Sequence, residues 1–233
     1  MGDFGKNKNK EFNSTFLDLI KELDNLDLDL RFRISSIEPN LLNDEIISFI
    51  STSKKFVHHF HIPLQSGSDS ILRLMRRRYD SKLYKSRIEK INKLMPDACI
   101  GVDVIVGFPG ENDDLFLESL NFLDSLNVSY FHVFTYSERD NTHAISLPNI
   151  VEPNVRTKRS KLLRLLSSKK KASFYERNRG SIQDVLFESE EKNGYIEGFS
   201  SNYIRFRRPW DPSIIGTIVK SMFVDVDSDG FAI

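Results

Sequence analysis

Apolar positions in the first 136 residues alternate between two rhythms, a spacing of three and four and short extended runs. That alternation predicts an α/β protein in which crossover helices connect parallel strands. Helical spacing covers 12–26, 43–51, 68–78 and 81–95, the last with Tyr84, Ile88, Ile91 and Met95 on one face and Pro96 after it. Extended runs cover 30–37, 56–64, 98–108 and 128–136. Between the last two runs, Asn112 predicts a helix cap, with Asp113 and Asp114 at the positive end of the helix dipole. After Tyr136 a polar loop through Asn141, Pro148 and Pro153 leads to a helix at about 155–177. Short strands follow at 183–188, 195–199, 203–207, 214–226 and 231–233, separated by Asn193-Gly194, Pro209, Pro212 and Asp229-Gly230. They predict a small all-β barrel. The expected division is 1–150, a linker helix at 151–180, and 181–233.

Strand parity then sorts the polar residues. Alternate side chains of a strand point to opposite faces, and Arg33 and Ser35 share one parity, as do His59, His61 and Gln65. Asp103 stands alone in the apolar run Val102–Val106, and burying an unpaired carboxylate costs on the order of several kcal/mol. A polar lumen supplies the partner it needs; Arg33 or a backbone donor would also do. Three strands end in loops that suit a ligand at their carboxyl ends: 35–39 with Glu38, 65–68 with Gln65 and Ser66, and 107–111 with Gly107. His58, His59 and His61 invite a metal, but no acidic or cysteine partner follows at ligand spacing, so no metal is assigned within this chain. No catalytic residue is assigned either. Arg76, Arg77 and Arg78 close a helix, where cations suit the dipole, and their clustering leaves a substrate-phosphate role open.

Lysine plus arginine equal aspartate plus glutamate at 33 each, so overall charge does not mark a nucleic-acid binder. The distribution changes the picture. Residues 151–182 hold ten basic side chains, Lys169, Lys170 and Lys171 among them, against Glu152 and Glu176. In the β module Tyr203, Phe206 and Trp210 interleave with Arg205, Arg207 and Arg208, a composition suited to single-stranded or looped RNA; a core with an arginine rim is the alternative. Cys99 is the single cysteine, which excludes an internal disulfide. The chain starts without the apolar segment of a secretory signal, and no apolar run reaches the length needed to span a bilayer, so a cytoplasmic protein with no membrane partner is expected.

Five segments in order, Arg31–Pro39, His59–Asp69, Leu74–Tyr79, Gly101–Glu111 and Phe131–Arg139, resemble successive motifs of the radical S-adenosylmethionine methylthiotransferases. The Ser-Ser-Ile-Glu-Pro and Arg-Arg-Arg-Tyr forms look most like the branch acting on threonylcarbamoyladenosine beside the tRNA anticodon. The β module resembles the RNA-binding TRAM domain. The resemblance implies strands three to six of an open six-stranded (β/α) barrel that binds S-adenosylmethionine against a [4Fe-4S] cluster, with an anticodon stem-loop as partner. By motif, Gln65, Ser66, Asp103, Ile105, Gly107, Phe134 and Tyr136 would line the cofactor, and Ser36 and Glu38 would sit at its polar end or at the acceptor base. Arg76, Arg77, Arg78, Lys169, Lys170, Lys171, Tyr203, Arg205 and Arg207 would meet RNA. The family's Cys-x-x-x-Cys-x-x-Cys loop and its second cysteine triplet have no counterpart here, and Met1–Gly5 looks like a family segment just after the second barrel strand. The expectation is a truncated chain, inactive and without a cluster, whose uncovered barrel edge is inclined to pair with another chain. The sulfur donor is not implied. Sister enzymes acting on isopentenyladenosine or on a ribosomal protein, and a non-catalytic RNA-binding protein, remain alternatives.

Overall fold

The computed structural model describes Phe4 and residues 14–233. The Met1–Gly5 resemblance, apart from Phe4, lies outside the described residues. Four parallel strands, β1 (Phe32–Ile34), β2 (Phe56–His61), β3 (Cys99–Val106) and β4 (Tyr130–Thr135), pair in that order. Helices α1 (Phe16–Asn25), α2 (Asp44–Ile50), α3 (Asp69–Leu74), α4 (Ser81–Leu94) and α5 (Asp113–Ser125) occupy the first part of the chain. Ile46 and Ile50 of α2, Ile88 and Ile91 of α4, and Phe116 and Leu123 of α5 bury against Phe60, Val102, Val104 and Val133 in one core. Their burial is the main term holding the layers together.

Local chemistry sets the ends. Thr15 and Asp18 close a reciprocal capping box on α1, and Asn43, Asp80 and Asn112 accept backbone N–H groups at the starts of α2, α4 and α5. Helical spacing predicts a helix to residue 78, but α3 stops at Leu74 because Arg76 takes φ 55°.

A long helix, α6 (Pro153–Asn178), begins with Pro at a position whose missing N–H costs nothing, and packs along β4, where the Ser167 hydroxyl donates to the Phe131 carbonyl. A separate antiparallel sheet follows, ordered β7 (Arg205–Pro209), β6 (Tyr195–Ser200), β5 (Ile182–Lys192), β8 (Ile218–Met222), curled as a half-barrel. Asn193 and Gly194, with φ 54° and 80°, turn β5 into β6 as the two-residue hairpin signal requires. The strand expected from 203 starts at Arg205, since Tyr203 takes φ 64° in a turn. The run expected at 214–226 shortens to β8, its beginning taken by a 3-10 turn at Pro212–Ile214. At 231–233 only Ala232 bridges, to Phe206 and Val226.

Candidate functional site

The parallel sheet has an apolar and a polar face. Phe60, Ile100, Val102, Val104, Phe131 and Val133 are buried toward the helices. The opposite parity carries Arg33, His59, His61, Asp103, Tyr130 and His132. Asp103 finds its partner there: its Oδ1 lies 2.9 Å from His61 Nε2, so an imidazole rather than Arg33 holds it. His61 stacks on His132 at 5.3 Å between ring centroids, and His59 Nε2 lies 3.2 Å from the Tyr130 hydroxyl. Burial pushes His59 down to about 3, with the charge on Arg33 adding to it. His132 is lowered by burial and then by His61. Tyr130 and His132 join this face without being singled out by strand parity in the sequence; their alternate positions in the 128–136 run are the signal.

At the carboxyl ends of β3 and β4 opens a cleft of about 450 Å³ lined by Ile105, Phe108, Phe134, Tyr136, Arg76 and Arg77, with others. Phe134 is 53% exposed, a large apolar ring left in water at the mouth. The surrounding loops are braced from α6. Arg156 donates to the carbonyls of Val151 and Tyr136 and to both oxygens of Glu138. Gly107 takes φ 76°, and a methyl there would collide with the Arg156 side chain, so glycine is required twice over. Its N–H donates to Glu111 at 2.8 Å, and Glu111 is held by Arg159 at 2.8 Å with both side chains buried. Burial raises the Glu111 carboxyl despite these bonds.

Of the expected cofactor residues, the cleft brings together Ile105, Phe134 and Tyr136, with Gly107 next to Phe108 in its wall. Glu38 joins it through Arg77, at 3.4 Å, and Ser36 is exposed nearby in sequence. Asp103 lies two residues back along β3, on the His61 side. Gln65 and Ser66 are buried. Gln65 takes φ 73°, a conformation held because its N–H donates to the Asp103 carbonyl and its own carbonyl accepts from Ile105. The Ser66 hydroxyl accepts from the Ser68 N–H.

The expected RNA residues fall into groups: Lys171, Tyr203 and Arg205 meet at a second cavity, apart from Arg76 and Arg77. Arg76 and Arg77 line the cleft and Arg78 is exposed. Lys169 is exposed, whereas Lys170 donates to the carbonyls of Asp124 and Leu126, and Lys171 lies over the Tyr175 ring at 5.2 Å. Arg205 and Arg207 pair with the buried Glu197, and Arg207 also with Asp227 and Asp229. Tyr203 stacks on His59 at 4.1 Å and on Phe199 at 4.6 Å between ring centroids, joining the β module to the parallel sheet.

The Radical SAM superfamily model matches residues 9–123. The threonylcarbamoyladenosine tRNA methylthiotransferase of Bacillus subtilis is 38% identical over 94% of this chain and 49% of its own length. Its counterpart in Aquifex aeolicus is 33% identical over 89% of this chain and 48% of its own. The tRNA-2-methylthio-N(6)-dimethylallyladenosine synthase of Vesicomyosocius okutanii is 37% identical over 81% and 43%. The chain thus spans about half the length of the curated relatives it matches. Among solved structures, coproporphyrinogen III oxidase of Escherichia coli aligns with a TM-score of 0.46 at 15% identity, over 69% of this chain and 35% of that one. With its four-stranded parallel sheet and a separate antiparallel sheet curled as a half-barrel, this chain carries a Radical SAM superfamily match and is similar over most of its length to tRNA methylthiotransferases.

Proposed function

We propose that this chain is the carboxyl-terminal part of an enzyme that places a methylthio group on C2 of a hypermodified adenosine beside a tRNA anticodon. The threonylcarbamoyl form is favoured by the relative at 38% identity; the dimethylallyl form is the second reading, favoured by the relative at 37%. In this proposal residues 1–150 belong to the radical SAM barrel, 151–180 form a basic linker helix, and 181–233 a TRAM-like RNA-binding barrel. The setting is cytoplasmic; among the described residues no helix is long and apolar enough to cross a membrane. The edge of β1, unpaired among the described residues, is a further place for strand pairing between copies.

The observation that carries the reading is the cleft at the strand ends. Its volume of about 450 Å³ and its wall of Ile105, Phe108, Phe134 and Tyr136, with Arg76 and Arg77 at one side, fit a nucleoside bearing a carboxylate. S-adenosylmethionine held there would supply the radical chemistry. The chain's own residues orient and shield it: the aromatic rings exclude water, the guanidinium groups meet the carboxylate, and Arg156 keeps the rim in place. The iron-sulfur cluster does not fit the residues present. Cys99 is the one cysteine, it is buried at the start of β3, and burial pushes its thiol up to about 12, away from the thiolate a metal needs. No step through a cluster is derived for this chain.

Calorimetric titration with S-adenosylmethionine should show binding that falls at least about tenfold in Tyr136→Ala, the loss of one well-packed aromatic contact. Anaerobic reconstitution of the same chain should give neither a cluster nor reductive cleavage. Undiminished binding in Tyr136→Ala removes the cleft from the proposal, and a stoichiometric cluster with cleavage overturns the inactivity.

A further inference from the structure

A second cavity, of about 530 Å³, lies between the polar face of the parallel sheet, α6 and the β module. We propose that it binds the phosphoryl group of a nucleotide. Its wall contains three cationic side chains, Arg33 from β1, Lys171 from α6 and Arg205 at the start of β7, and no carboxylate. Asp103, the nearest acid on the sheet face, is already engaged by His61. Arg205 is paired with the buried Glu197, which Arg207 and Lys192 also reach while pairing with Asp227, Asp229 and Glu190, so the uncompensated cations of the wall are Arg33 and Lys171. Arg33 and Lys171 have no carboxylate partner among the described residues; each is held over an aromatic ring instead, Arg33 over Tyr203 at 4.6 Å and Lys171 over Tyr175. Cations gathered without a counter-charge repel one another, and an anion between them offsets that repulsion. The guanidinium fork and the lysine ammonium are both good partners for phosphate oxygens.

An independent sign comes from His59. The residue is 3% exposed and lines the same cavity, yet its Nδ1 has no hydrogen-bond partner. In the tautomer whose Nε2 accepts from the Tyr130 hydroxyl, the ring proton sits on Nδ1, and a buried donor lacking an acceptor is costly. A phosphoryl oxygen supplies that acceptor. The remaining wall is aromatic, with Tyr130, Phe174, Tyr175 and Phe199, and the cavity volume suits a mononucleotide. This inference goes beyond the methylthiotransferase reading and does not depend on it, because its readout involves no S-adenosylmethionine.

The test titrates 5′-AMP into the 233-residue chain by calorimetry, with inorganic phosphate and an anticodon stem-loop RNA as competitors. AMP should bind, phosphate should displace it, and Arg33→Gln and Lys171→Gln should each weaken it at least about tenfold, the loss of one charge-assisted bond. Both side chains are exposed, so folding, checked by circular dichroism, should persist. Arg208→Gln, outside the cavity, should leave affinity unchanged. RNA that displaces AMP identifies the phosphoryl group as one of the RNA strand, and RNA that does not identifies a free nucleotide; either result supports the site. Absence of AMP binding to the folded chain, or affinity unaltered in both cavity variants, overturns it.

Discussion

The carboxyl and amino ends of the parallel sheet are built from the same strands, yet their arginines do opposite things. At the carboxyl end, Arg156 and Arg159 are buried, and their guanidinium groups bond to Glu138, Glu111, Asp113 and backbone carbonyls. At the amino end, Arg33 and Lys171 stand over aromatic rings, and Tyr203 of the β module closes the sheet against His59. The difference teaches that a basic helix is not one electrostatic object. The amino-terminal half of α6 uses its charge to fix loops around an aromatic cleft, while the lower part of the molecule leaves charge uncommitted around a polar hollow.

The comparison breaks most visibly at Glu111. Glu111→Ala strands the buried Arg159 guanidinium and the Gly107 N–H, a loss of about 3–5 kcal/mol in a urea unfolding titration. Asp113 also pairs with Arg159 but is 95% exposed on its side chain, and Asp113→Ala should cost under about 1 kcal/mol. Equal costs for the two would mean that burial does not govern how the rim is held.

At the other end the sharper probe is pH. Unfolded, His59 takes up its proton near 6.5; folded, burial and Arg33 delay uptake to about 3. Between those values the unfolded chain binds more protons, so stability is fully present above pH 6.5 and is lost as pH falls toward 3. From this group alone, stability at pH 4.5 should lie roughly 2–3 kcal/mol below that at pH 7. His59→Gln should flatten that part of the stability profile whatever it does to absolute stability. An unchanged slope would show that the imidazole is not shielded behind Tyr203.

Much of this architecture could be read from residues. Asn112 announced a helix start because its side chain satisfies an N–H group locally, and Asn193-Gly194 announced the break between two strands because both positions take positive φ there; Asn43 and Asp80 cap α2 and α4 in the same way without having been singled out. Parity exposed Asp103 as a residue in need of a partner. The identity of that partner, His61, depends on the diagonal reach between adjacent strands, which a single chain's pattern does not encode. Tyr203 illustrates the same limit. Its sequence neighbourhood, arginines alternating with aromatics, reads as an RNA surface, whereas tertiary packing stacks its ring on His59 of the parallel sheet and on Phe199. Arg156 and Arg159 were counted as helix charge because spacing along α6 does not reveal that carboxylates from two earlier loops converge on them.

The smallest expected effect separates neighbours in the lysine run. Lys170 reaches the carbonyls of Asp124 and Leu126, at the end of α5, and burial lowers its pKa despite the nearby Asp124. These are the carbonyls a helix leaves without intrahelical donors, and a cation there also meets the negative end of the dipole. Lys170→Met should therefore cost about 1 kcal/mol of stability while leaving the salt dependence of stem-loop RNA binding unaltered. Lys169 is exposed with its ammonium free to meet phosphate, so Lys169→Ala should leave stability within about 0.5 kcal/mol and reduce the slope of log affinity against log salt by about 1. Two adjacent lysines would then differ in kind, one a tie between helices and one an RNA contact. If Lys170→Met lowers the salt slope as Lys169→Ala does, its ammonium leaves the carbonyls in the complex, and the division of labour along α6 does not extend past its first half.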